Sequence, residues 1–134
     1  MAVELFSDEW MNAFLQQWNA EPELAAELSK INFNSVIGYG IPGEPTARGY
    51  IAIENGTAVR AGKYADTSIA LQWDLRAKEE NWRKWMTSSI GAAGLGMAAA
   101  SGKLKFETGD FGAMFRDPRM AGPFIKSFSV MGRV

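Results

Sequence analysis

Residues 98–110, Ala-Ala-Ala-Ser-Gly-Lys-Leu-Lys-Phe-Glu-Thr-Gly-Asp, constrain the fold more tightly than any other stretch of the chain. A small-residue helix end, a glycine stop, an alternating strand and a tight turn follow one another without slack. Leu104, Phe106 and Thr108 fall on one side of that strand and Lys103, Lys105 and Glu107 on the other, the two-residue period of a sheet with one buried face. Any architecture for this chain must therefore accommodate a helix that runs directly into a half-buried strand.

The chemistry is bounded by an absence. The chain has no His and no Cys. Without imidazole or thiol, a zinc site of the usual kind, a Ser-His or Cys-His nucleophile, a disulfide framework and a Cys redox pair are all excluded. Catalysis would have to rest on carboxylates, Lys, Tyr or a bound cofactor, and none of these stands in a catalytic motif. No metal site, cofactor or catalytic residue is assigned.

At 134 residues the chain has the size of one ordinary domain, here taken as 1–134, and can bury a sizeable core. Its formal net charge of −1, with 22% charged residues, suggests neither a disordered acidic chain nor a nucleic-acid binder. Charge is nonetheless uneven: residues 1–54 carry eight acids against Lys30 and Arg48, whereas residues 103–134 are net positive. That basic third could meet anionic head groups, although a solvated surface is the simpler reading. No stretch reaches the ~18 to 20 apolar residues a membrane span needs, and Met-Ala-Val-Glu-Leu-Phe lacks the features of a secretory leader. A cytoplasmic location is expected.

Along the chain, Ser7 caps a helix whose apolar face is Trp10, Met11, Phe14, Leu15 and Trp18, with Asp8 and Glu9 in its first turn. Pro22 suits the first turn of a shorter helix carrying Leu24, Ala25 and Leu28. From Asn32 the period changes to two, and Phe33 to Ile41 predicts a strand. After the turn Pro42-Gly43-Glu44-Pro45 comes a second strand, 47–54. Asn55-Gly56 predicts a type I′ hairpin into a third at Thr57–Lys63. Alternation over Thr67, Ile69, Leu71 and Trp73 predicts a fourth strand, completing a four-strand meander. Residues 75–87 return to helical spacing, and the Gly- and Ala-rich segment 88–100 predicts a weak helix. Its G-x-x-G-x-G spacing matches neither a Walker loop nor the dinucleotide fingerprint. A fifth strand, a turn at Gly109-Asp110 that leads into Phe111–Arg116, and a terminal helix begun by Asp117-Pro118 close the chain. Met120, Phe124 and Phe128 share one face of that last helix.

These elements predict an α+β domain in which helices cover one face of a mostly antiparallel five-stranded sheet. Five Trp, eight Phe, three Tyr and seven Met either fill the interior or line a cavity. Late methionines at 86, 97, 114, 120 and 131, with glycines at 91, 94 and 96, suit a cover that repacks around an apolar ligand, or equally a core with a poor helix beside it.

The order of elements, the Asn55-Gly56 hairpin, Tyr64-Ala65-Asp66-Thr67, the Trp82–Met86 helix and above all Gly102-Lys103-Leu104-Lys105-Phe106 with Gly109-Asp110 resemble the sterol carrier protein type 2 family, the non-specific lipid-transfer proteins. The resemblance implies a curved five-stranded sheet whose helices enclose an apolar tunnel for fatty acids, acyl-CoA esters, sterols or similar lipids, partly covered by the terminal helix. The Gly/Ala-rich segment between Met86 and Gly102 departs from the family pattern. Candidate lining residues are Phe14, Trp18, Trp73, Trp82, Met86, Met97, Phe106, Met114, Phe115, Phe124 and Phe128.

The leading expectation is a non-enzymatic binder or carrier of a hydrophobic small molecule or lipid, with transient membrane contact and a homodimer left open and no nucleic-acid partner. The alternatives are an accessory or dimerisation domain that presents an apolar substrate or binds a protein, and a catalyst using Asp66 or Asp74 as a base. Against the last, both aspartates suit capping roles, Asp66 at the start of the fourth strand and Asp74 on the helix after it.

Overall fold

A computed structural model describes residues 4–88 and 90–134; Met1–Val3, from the N-terminal reading, and Ser89, from the Gly/Ala-rich segment, lie outside the described residues. The Ser7 hydroxyl accepts the Trp10 N–H at 3.2 Å and opens α1 (Asp8–Ala20). The second helix, α2 (Ala25–Ser29), starts later than Pro22 suggests, because residues 22–24 form a turn that swings Leu24 inward before helical hydrogen bonding begins.

Strands β1 (Ser35–Gly40), β2 (Gly49–Glu54) and β3 (Thr57–Lys63) form an antiparallel meander. Its second turn has positive φ at Asn55 (51°) and Gly56 (82°), the backbone a type I′ hairpin needs. The meander stops at three strands. Strand β4 (Trp73–Arg76) pairs with the far side of β1 and runs parallel to it, placing Ile37 opposite Trp73 and Tyr39 opposite Leu75. A parallel neighbour demands a crossover, and residues 64–72 are spent on it. The expected fourth strand at 67–73 is therefore mostly connection, and the helix expected from residue 75 starts only at α3 (Glu79–Thr87).

After α4 (Ala92–Ala100), β5 (Lys105–Thr108) pairs antiparallel with β4, giving an open mixed sheet in the order β3-β2-β1-β4-β5. Helices α5 (Phe111–Phe115) and α6 (Pro118–Met131) follow, capped by the Asp110 and Asp117 carboxylates. The result is an α+β fold with a mostly antiparallel sheet.

Ile37, Tyr39, Ile51, Ile53 and Leu75 point from the sheet into a core completed by Phe6, Trp10, Met11 and Phe14 near α1 and by Trp82, Trp85 and Phe128 on α3 and α6. Trp82 is fully buried, and its Nε1–H donates to the Gly40 carbonyl at 3.0 Å. The opposite face of the sheet is not simply wet: Leu71 of the crossover lies over Gly38, and the Arg76 side chain lies over Gly40. A Cβ at either glycine would crowd them.

Candidate functional site

The site grows from the same pairing that ended the meander. With β4 beside β1, the aromatic Trp73 and the aliphatic Ile37 and Leu75 form one apolar floor. Trp18 reaches one side of it from α1, its Nε1–H fixed to the Gly56 carbonyl of the hairpin at 3.0 Å. Trp73 is fixed likewise, donating to the Ser35 hydroxyl at 3.1 Å. Gly109, at φ 108°, lies against the Trp73 ring where a Cβ would collide with it, so the turn after β5 must be a glycine to leave that ring in place. Leu24, Leu28 and Phe33 form a second wall, and Met114 of α5 with Met120, Pro123, Phe124 and Ser127 of α6 forms the roof.

Between floor and roof lies a cavity of about 40 Å³. It is apolar and no charged side chain lines it. Its volume holds a water molecule or two and falls well short of the ~300 Å³ at which drug-sized ligand pockets begin. The tunnel that the resemblance implies is thus a narrow internal gap, roofed by two thioethers and by a helix with a proline inside it. Pro123 has no N–H to give the carbonyl four residues back, so α6 lacks one rung of its ladder over the cavity. Beyond Pro123 the helix is held firmly. Phe128 stacks on Trp82, with centroids 6.1 Å apart, and meets Trp85 edge-on. Past the helix end, Arg133 donates to Glu21 at 2.8 Å. That hydrogen bond, with the Glu23 backbone N–H, holds the Glu21 carboxyl below its usual range.

Of the residues expected to line a tunnel, Trp18, Trp73, Met114 and Phe124 border the cavity. Phe14, Trp82 and Phe128 are buried in the aromatic core instead, and Met86 packs against that core. Phe106 reaches the site indirectly, touching Trp73, Phe111 and Phe124, while Phe115 stacks on Phe111. Met97 lies outside the cavity, 74% exposed on α4. The residues that sequence reasoning left out are mainly Leu24, Leu28, Ile37, Tyr39 and Leu75, whose periodicity marks them as inward-facing without distinguishing core from cavity.

Neither aspartate considered as a base is placed for catalysis. Asp66 is exposed, capping the crossover turn rather than a strand, and the Ser68 hydroxyl and N–H that bond its carboxylate hold it below the usual range. Asp74 lies within β4 rather than capping a helix, and forms a two-pronged ion pair with Arg76 on the side away from the cavity, at 2.6 and 3.0 Å. No group of acidic side chains able to hold a metal occurs among the described residues. A wider cleft, about 460 Å³, is bordered by Asp8, Glu44, Arg48 and Lys63. Within it Arg48 bonds Glu44 at 2.8 Å, and the Asp8 carboxylate accepts the Lys63 backbone N–H at 3.0 Å. No helix among the described residues is long and apolar enough to cross a membrane.

No known protein family and no curated protein matches the sequence. Solved structures do match the fold. A sterol carrier protein 2 crystal structure superposes with a TM-score of 0.73 at 15% identity, covering 98% of this chain and 99% of that one. A conserved hypothetical protein of Thermus thermophilus, suggested to be a sterol carrier protein, gives 0.63 at 13% identity over 98% and 90%. The UbiJ-SCP2 ubiquinone synthesis protein gives 0.55 at 15% identity over 95% and 88%. The fold is of the sterol carrier protein 2 type.

Proposed function

We propose that this chain, acting as one domain in the cytoplasm, binds and carries a hydrophobic small molecule between its sheet and its helices, without catalysing a reaction. The observation that carries the reading is the uncharged, apolar cavity under α6, in a fold whose structural neighbours include a sterol carrier protein. Trp18, Trp73, Met114 and Phe124 are its proposed ligand contacts, with Phe106 behind them. Met86, Met97 and Phe115 do not border the cavity, so they are not proposed as contacts of a cargo in the closed form.

Admission of a cargo requires the gap to widen. The roof divides at Pro123 into a part that can lift, α5 with the first turns of α6, and a part pinned by Phe128 and Arg133. Lifting the first part exposes Met114 and Met120, and an apolar cargo replaces the contacts they lose. Burying about 300 Å² of cargo surface at ~25 cal/mol per Å² supplies up to ~7.5 kcal/mol before association and opening costs, the scale of micromolar binding.

The likeness to a ubiquinone synthesis protein supports a variant of this reading, in which the chain presents an apolar substrate to an enzyme rather than ferrying it. Native mass spectrometry of protein purified under mild conditions tests both: a co-purifying apolar molecule is the expected result. Failure to retain any, together with no binding of the neutral fluorophore N-phenyl-1-naphthylamine at tens of micromolar protein, overturns carriage and presentation alike.

A further inference from the structure

Tyr39 is the polar exception in the cavity wall. Its ring is fixed on three sides, stacked on Phe6 with centroids 5.5 Å apart and edge-on to Phe14 and Trp82 at 5.9 Å each, and the residue is 1% exposed. The other polar side chains of the lining have partners within the protein: Trp18 donates to Gly56, Trp73 to Ser35, and the Ser127 hydroxyl to the Phe124 carbonyl. The Tyr39 hydroxyl makes no hydrogen bond to any described residue. Yet no side-chain nitrogen or oxygen among the described residues is both sealed from free volume and unpartnered. Tyr39 borders the cavity, and its hydroxyl is the one nitrogen- or oxygen-bearing side-chain group of that lining without a partner among the described residues. A Phe would fill the same ring site without stranding a donor.

We infer that Tyr39 is the recognition point of the cavity, donating its hydroxyl proton to a neutral oxygen acceptor on the cargo: a carbonyl, ether or hydroxyl oxygen. The inference rests on the carriage reading and narrows its substrate class. No cation lines the cavity to meet a carboxylate or phosphate, so a charged head group drawn to this depth would lose its hydration for a single donor. A neutral oxygen needs only one. Burial also pushes the Tyr39 ionisation upward, so the group stays a protonated donor. The cargo so selected is an otherwise apolar molecule whose oxygen lies at the end that reaches β1, with any charged portion left outside.

The test measures displacement of N-phenyl-1-naphthylamine by methyl undecyl ketone and by tridecane, an alkane of the same carbon number, from the parent protein and from Tyr39→Phe. The expected result is an affinity for the ketone that falls about 2- to 10-fold in the variant, the worth of one hydrogen bond, while that for the alkane is unchanged. Equal ketone affinity in parent and variant, or a parent that binds the fluorophore and not the ketone, overturns the inference while leaving carriage intact, whereas a parent that binds neither the fluorophore nor the two compounds overturns carriage itself. Should Tyr39→Phe fail to fold, infrared spectroscopy of the parent with ketone labelled at the carbonyl carbon decides. A carbonyl stretch below its frequency in hexane is expected, and a stretch at the hexane frequency overturns the assignment.

Discussion

Asp74 and Arg76 occupy alternate positions of β4 and so project from the same side of the sheet, away from the cavity. Both side chains are nearly buried, at 12% and 6% exposure, and the guanidinium also donates to the Glu44 carbonyl at 2.9 Å. The bonded carboxylate raises the Arg76 pKa above its usual value. Two charges out of water tolerate each other only as a pair, so removing one is far costlier than replacing both. Asp74→Ala should destabilise the fold by about 3–5 kcal/mol in urea unfolding, and the double variant Asp74→Leu/Arg76→Met should recover most of that loss. A single variant as stable as the parent would show that water reaches the pair. Alternation identifies Trp73 as inward-facing, while Leu75 reads as the start of a helix, and nothing local to the sequence says that Asp74 and Arg76 meet over Gly40.

At the scale of elements, α4 is the weakest by composition, with Gly94 and Gly96 inside it and no charged side chain to support it. A Cβ at Gly96 would meet only Phe115 Cε2, at an ordinary 3.7 Å, and its backbone is helical. Gly96→Ala should therefore raise stability by about 0.5–1 kcal/mol, read as a shift in the urea midpoint at unchanged slope. Elements of this kind were legible where the signal is local: the Ser7 cap, the Asn55-Gly56 turn, β3 and the Asp117-Pro118 start stand where their residues predict. Legibility failed at 64–76 for a non-local reason. The alternation of Thr67, Ile69 and Leu71 is a true alternation, but the partner that would make it a strand is absent, because the chain is crossing to the far side of β1. The cavity suffered similarly. Trp18 and Phe124 declare themselves as large inward residues, yet Phe14 and Phe128 have the same signature, and only the spacing between helix and sheet separates wall from filling.

Across the whole molecule, Glu21 closes the circuit between the end of α1 and the end of α6. Its carboxylate accepts from Arg133 at 2.8 Å and lies 4.0 Å from Lys126, which in turn meets Glu23 at 2.9 Å. Because the folded state holds this carboxyl below its ordinary 4.5, its contribution is complete above about pH 4.5 and is lost as pH falls through the lowered value. Arg133 is partly solvated, so the pair is worth no more than ~1 kcal/mol. Glu21→Gln should be less stable than the parent by up to that amount near neutrality, and the gap should narrow steadily as pH is lowered below 4.5, as read by urea unfolding across that range. A gap that persists in acid would assign the clasp to packing of the side-chain stem.

The wall of the cavity has a further consequence. Nothing in it ionises across the physiological range, so an uncharged cargo would partition between protein and any oily phase with indifference to acidity and ionic strength. The direction of handover would then follow the chemical potential of the cargo alone, from the compartment richer in it to the poorer.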